Sequence, residues 1–63
     1  MITYIIEKSK TEPFYIQIYN HIKRDIETGV IKEGEKLPSK RAFSSNLGVS
    51  IITVENAYSQ LLA

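Results

Sequence analysis

The chain has 63 residues, no cysteine and one histidine. This length allows one small domain at most, and the composition excludes disulfides and a structural zinc site, so we expect no metal site. A hydrophobic share of 43% against 24% charged residues is ordinary for a globular chain and argues against disorder. No apolar run approaches the roughly 20 residues of a membrane span, and no secretory leader is recognisable, so we expect a cytoplasmic protein.

The first residues are rich in isoleucine, threonine and tyrosine, and this composition predicts a short strand over residues 2–6. A single strand needs a partner, and no other stretch of the chain offers an equally clear one. Residues 8–12 read as a polar linker.

A first helix is predicted over residues 13–28, because proline is tolerated in the first helical turn and Gly29 can end a helix. His21 lies at the border of the polar face and is expected to be solvated and not a ligand. The predicted core-facing side comprises Phe14, Tyr15, Ile18, Tyr19, Ile22 and Ile26. The predicted polar side comprises Gln17, Asn20, Arg24 and Glu27.

Two short helices joined by a tight turn are predicted in the second half of the chain. The second helix, at about residues 39–47, begins at Ser39, which can cap it, and Gly48 can end it in the left-handed conformation. Ser50 is a second capping residue, which starts a third helix at about residues 50–62. The apolar residues of that helix recur on one side as Val54, Ala57, Tyr58 and Leu61.

A helix, a glycine turn and a helix in this spacing are typical of a helix-turn-helix, although a plain corner between two helices has the same spacing. The net charge is only +1, which is weak support for nucleic-acid binding. The distribution is more informative, because residues 36–54 contain Lys36, Lys40 and Arg41 but no acidic residue. The two helix starts at Ser39 and Ser50 also present unpaired N–H groups that favour phosphate.

Individual residues carry a more specific signal than the spacing. Their pattern closely resembles the DNA-binding head of the GntR family of bacterial transcription regulators. The resemblance implies a mainly α fold, with a three-helix helix-turn-helix core of a winged-helix domain and a short N-terminal strand. The residues that carry it are Pro13, Tyr15, Gln17, Ile18, Gly29, Gly34, Glu35, Lys36, Leu37, Pro38, Ser39, Lys40, Arg41, Leu47, Gly48, Val49, Ser50, Thr53, Val54, Ala57, Tyr58 and Leu61.

Within that family, residues 53–61 look most like the MocR-type branch, whose DNA-binding head precedes a large aminotransferase-like domain. The family continues after the third helix into a β-hairpin wing, so the wing and the effector domain are expected to be absent from this chain. No cofactor is expected, and a pyridoxal phosphate site, if the full regulator is of MocR type, would lie outside these residues. Dimer formation or strand exchange through residues 2–6 is one way to cover the apolar surface that a missing wing exposes.

The resemblance implies that Arg41 reaches DNA, that the hydroxyls of Ser50 and Thr53 contact the backbone or base edges, and that the third helix lies in the major groove. The sequence departs from the family at Ile51 and Glu55, where many relatives carry arginine. We expect isoleucine contacts with thymine methyl groups, and polar contacts of the third helix with cytosine or adenine. The candidate DNA-binding residues are Ser39, Lys40, Arg41, Ser50, Ile51, Ile52, Thr53, Glu55 and Asn56.

The sequence therefore predicts sequence-specific binding of double-stranded DNA, with the chain as one half of a homodimer. The alternative is a protein interaction or dimerisation module that has a helix-turn-helix shape without DNA binding, which Ile51, Glu55 and the near-neutral net charge favour. An enzyme is not expected, because the lone His21 and the scattered carboxylates form no credible pair of nucleophile and base.

Overall fold

The computed structural model describes residues 3–62, which form three α-helices: α1 (Phe14–Glu27), α2 (Lys40–Leu47) and α3 (Ile51–Leu62). α3 packs against both α1 and α2. The mainly α, three-helix prediction is confirmed, and the predicted ranges had included the flanking residues that lie just outside each helix. Within residues 3–62, no helix has the length and apolarity needed to cross a bilayer.

The core is centred on Phe43, which α2 contributes and which has no exposed surface. The other buried apolar side chains come from α1, from α3 and from the segment between α1 and α2 (residues 28–39), which we call the connector; they are Ile18, Ile22, Ile31, Val54 and Ala57. Half-buried side chains complete this core, namely Tyr4, Ile6, Tyr15, Leu37, Leu47, Val49, Tyr58 and Leu61. The apolar residues that recur on one side of α3 thus face α1 and α2.

The prediction of a strand over residues 2–6 is wrong for residues 3–6, and Ile2 lies outside the described residues. Residues 3–62 contain no strand. A strand requires a ladder of backbone hydrogen bonds with a partner, whereas this segment is attached through its side chains. Tyr4 and Ile6 pack against the core, and Ile5 between them is exposed.

Tyr4 lies over α1 and changes the surroundings of His21. The two rings are stacked, with centroids 4.7 Å apart and planes at 7°, and the Tyr4 and Phe43 rings meet at 63° with centroids 6.0 Å apart. The Tyr4 hydroxyl donates a hydrogen bond of 2.8 Å to Asp25, and burial together with that carboxylate raises the tyrosine pKa well above its ordinary value. His21 is therefore half-buried beneath Tyr4 and not simply solvated as expected.

Gln17 was expected on the polar face of α1, but only 4% of its surface is exposed. Its Nε2 donates to the carbonyls of Glu7 and Glu12, each at 3.0 Å. Its Oε1 accepts from the Glu7 N–H at 2.9 Å. A buried amide is tolerated when its donors and acceptor are paired in this way. Gln17 thus fastens residues 7–12 to α1.

At the C-terminal end of α1, a residue that was predicted on the core-facing side is exposed. Ile26, expected in the core, is 49% exposed. The chain turns back at Gly29, where φ is +82°, and Ile31 donates its N–H to the Asp25 carbonyl at 3.0 Å. Ile31 is buried beside the last turn of α1. The connector therefore contributes to the core the apolar side chain that was expected from Ile26.

We predict that Gln17→Ala lowers the free energy of unfolding by about 1–3 kcal/mol, because it leaves three backbone groups of Glu7 and Glu12 without their partner. Urea unfolding followed by circular dichroism measures this change. Asn20→Ala is the matched control, since Asn20 is exposed and makes one long bond of 3.4 Å to Glu12. Its effect should stay within about 0.5 kcal/mol. Equal effects of the two substitutions would contradict the role given to Gln17.

Candidate nucleic-acid interface

The nine residues singled out in the sequence occupy the start of α2 and the first turns of α3. We call this surface the α2–α3 face. All of its residues are exposed except Thr53, which is half-buried. They are Ser39, Lys40, Arg41, Ser50, Ile51, Ile52, Thr53, Glu55 and Asn56.

The start of α2 is capped and positively charged. Ser39 has an extended backbone, with φ −61° and ψ 154°, and its Oγ accepts from the Ala42 N–H at 3.1 Å. The first turn contains no acidic residue and begins with Lys40 and Arg41. The partial positive charge of the helix start and two full charges therefore add on one exposed surface.

The turn between α2 and α3 depends on Gly48, which has φ 73° and ψ 33°. This left-handed conformation strains most residues that carry a Cβ atom. The Ser44 carbonyl accepts from the N–H of Gly48 at 2.9 Å and from the N–H of Val49 at 3.1 Å. Val49 then packs against the core, so the turn fixes the direction in which α3 leaves α2.

The start of α3 carries a pair of hydroxyl groups. Ser50 Oγ accepts from the Thr53 N–H at 3.1 Å, and it lies 2.8 Å from Thr53 Oγ1. Either hydroxyl can be the donor in this second contact. Because the pair has two O–H groups and shares one hydrogen bond, one O–H is left to donate to an acceptor outside the helix. The cap is thus satisfied while the surface keeps a donor.

Two apolar side chains stand beside these hydroxyls. Ile51 is 44% exposed and Ile52 is 67% exposed. Much of the surface of Ile51 is therefore open to a ligand. Apolar side chains at the start of α3 are suited to contacts with methyl groups.

An ion pair joins α2 to α3 on the α2–α3 face. Lys40 Nζ lies 3.2 Å from Glu55 Oε2, and both side chains are about half exposed. Glu55 lies just beyond residues 36–54, the stretch in which the sequence shows cations but no acidic residue. A pair 15 residues apart depends on the angle between two helices, and no local pattern could have indicated it.

A second contact holds the same two helices together. The Tyr58 hydroxyl donates to the Pro38 carbonyl at 2.7 Å, directly before the start of α2. The Tyr58 ring also lies 6.2 Å from Phe43, and burial raises the pKa of its hydroxyl. The start of α2 is therefore anchored to the middle of α3 by a neutral phenol.

We predict that Ser50→Ala lowers the free energy of unfolding by about 1 kcal/mol, because it removes the cap of α3. Ser50→Asp should stay close to the wild type, since aspartate caps equally well and favours the positive end of a helix. Urea unfolding measures both. Ser45→Ala is the control at an exposed position within α2, expected within about 0.5 kcal/mol of the wild type. A stable Ser50→Ala would contradict the capping role.

Comparison with known proteins places this chain in one family. The family model "Bacterial regulatory proteins, gntR family" matches residues 14–63. The solved structure of YtrA from Sulfolobus acidocaldarius, a GntR-family transcription factor, is similar with a TM-score of 0.88 and 42% identity, covering 90% of this chain and 61% of that chain.

Two curated relatives indicate the same. The chain is 45% identical over 62 residues to YhdI of Bacillus subtilis, an uncharacterized HTH-type transcriptional regulator, covering 98% of this chain but 13% of that protein. It is 32% identical over 59 residues to MocR of Rhizobium meliloti, a probable rhizopine catabolism regulatory protein, covering 94% of this chain and 12% of that protein. The chain therefore belongs to the gntR family of bacterial regulatory proteins, and it has the helix-turn-helix domain of a transcription regulator of that family.

Proposed function

We propose that this domain binds double-stranded DNA through the α2–α3 face, with α3 as the recognition helix in the major groove. The observation that carries the proposal is the exposed, capped start of α2 with Lys40 and Arg41 in its first turn, beside the exposed start of α3. The relatives are described as transcription regulators, so a protein interaction module without DNA binding is not favoured.

Arg41 is the principal phosphate contact in this proposal. It is exposed, and the ion pairs among residues 3–62 are Lys10–Glu7 and Lys40–Glu55, neither of which uses it. Its guanidinium can therefore meet a phosphate without first leaving a carboxylate. Ser39 and the hydroxyl pair of Ser50 and Thr53 add donors at the two helix starts, which fix the register on the backbone.

The base contacts come from the exposed side of α3. Ile51 and Ile52 are suited to thymine methyl groups, because their apolar surface stands open. Asn56 is exposed and can pair with adenine. The Glu55 carboxylate can only accept hydrogen bonds, and an exocyclic amine of a base is the donor that it can read. The chain therefore reads an operator that is not dominated by guanine contacts.

We also propose how the domain assembles on DNA. The domain acts as one half of a homodimer on two half-sites, in the cytoplasm where bacterial DNA lies. The chain spans about 13% of the length of YhdI, and we propose that any effector binding lies outside these residues. We also propose membership of the MocR-type branch, supported by residues 53–61 and by the 32% identity to MocR, with any pyridoxal phosphate site outside these residues.

Fluorescence anisotropy with DNA flanking the chain's own gene, and with scrambled DNA, tests the proposal at several salt concentrations. The wild type should prefer the native sequence and bind more weakly as salt rises. Arg41→Ala should weaken binding to every sequence and reduce the slope of log affinity against log salt by about one. Arg24→Ala on α1 removes the same charge outside the α2–α3 face and is the control, with an expected loss below about twofold. Equal losses for the two variants would overturn the role of Arg41.

The base preference of Asn56 is tested with single base-pair substitutions in the preferred duplex. Asn56→Ala should lose about 1–3 kcal/mol of discrimination at one base pair and leave the others unchanged. Gln60→Ala, one turn further along α3, is the matched control and should keep the full preference. An unchanged preference of Asn56→Ala at every position would exclude Asn56 from base recognition.

A further inference from the structure

The inference rests on the proposed function and concerns the carboxylate in α3. Glu55 is the only charged residue in the sequence of α3. It is exposed and lies three and four residues after Ile52 and Ile51, so the three side chains share one side of the helix. A carboxylate on that side meets the negative field of the DNA phosphates, and α3 itself has no cation to offset it.

The compensating charge comes from α2. Lys40 Nζ lies 3.2 Å from Glu55 Oε2, across the turn at Gly48. With both groups about half exposed in the free protein, water and salt weaken the pair. In a DNA groove water is displaced, so the attraction between Lys40 and Glu55 is screened less. A Glu55 carboxylate placed there without its cation would be strongly disfavoured.

We propose that Lys40 is a positioning residue that lets Glu55 read a base. Lys40 neutralises the carboxylate and holds it on the groove side of α3. An ionised carboxylate can only accept hydrogen bonds, and the exocyclic N4 amine of cytosine is the donor that Glu and Asp read in the major groove. The Lys40–Glu55 pair thus acts as one unit that selects a cytosine.

The test uses duplexes selected by the wild-type chain from a random pool, with Lys40→Ala, Glu55→Gln and the double variant. Lys40→Ala should weaken specific binding about tenfold or more when Glu55 is present, since an unpaired charge is then placed at the interface. In the Glu55→Gln background the same change should cost only about two- to threefold, as for one phosphate contact in moderate salt. Lys40→Ala should also lose the preference at the base pair where Glu55→Gln loses it.

Two controls separate this role from simple charge loss. Lys10→Ala changes the net charge equally and breaks another exposed ion pair, Lys10–Glu7 at 3.6 Å, and it should change affinity by less than about twofold. Lys40→Arg keeps the cation and should retain the base preference. Urea unfolding of each variant, measured in parallel, shows that binding changes are not losses of fold.

The outcomes distinguish the inference from the function on which it rests. If the wild type binds DNA specifically and the effects of Lys40→Ala and Glu55→Gln simply add, Lys40 is an ordinary phosphate contact and the inference is wrong. A uniform loss of affinity for all sequences in Lys40→Ala has the same meaning. If the folded wild type binds no DNA, the proposed function fails and the inference fails with it.

Discussion

The chain reverses direction at Gly48 in a left-handed turn, and the Ser44 carbonyl holds that turn with two hydrogen bonds. This conformation determines how α3 leaves α2, and Phe43 and Val49 then pack so that the angle is kept. The contacts between the two helices, Lys40 with Glu55 and Tyr58 with the Pro38 carbonyl, exist because of that angle. A change in the turn would therefore separate the two capped helix starts from each other as well as open the core.

The near-neutral net charge is compatible with DNA binding because every acidic residue other than Glu55 lies outside the α2–α3 face. In the N-terminal segment and α1, the Glu12 carboxylate accepts a hydrogen bond from Asn20, and the Asp25 carboxylate accepts one from Tyr4. Glu35 accepts from the Lys32 N–H in the connector. On the α2–α3 face the single carboxylate is that of Glu55, which is already paired. A protein of this kind can concentrate its positive potential on one surface without a large overall charge.

The sequence predicted the helices because their boundaries depend on neighbouring residues. Ser39 and Ser50 cap through bonds that span three residues, and Gly48 ends α2 through its own conformation. The features that escaped prediction depend on parts of the chain distant in sequence. The spacing of apolar residues in α1 could not show that residues 4–12 cover one edge of its polar side, which buries Gln17 and half-buries His21. It also could not show that Ile31 packs where Ile26 was expected. The pairing of Lys40 with Glu55 likewise needs the angle between two helices.

The attachment of the N-terminal segment has a consequence for how this domain can vary. Gln17 binds main-chain groups of Glu7 and Glu12, which every residue other than proline supplies at those positions. The side chains of residues 8–11 are exposed and take no part in that attachment. One amide on α1 can thus hold a segment whose exposed side chains are free to vary, and residues 8–11 offer a place for a dye or an affinity tag that lies outside the α2–α3 face.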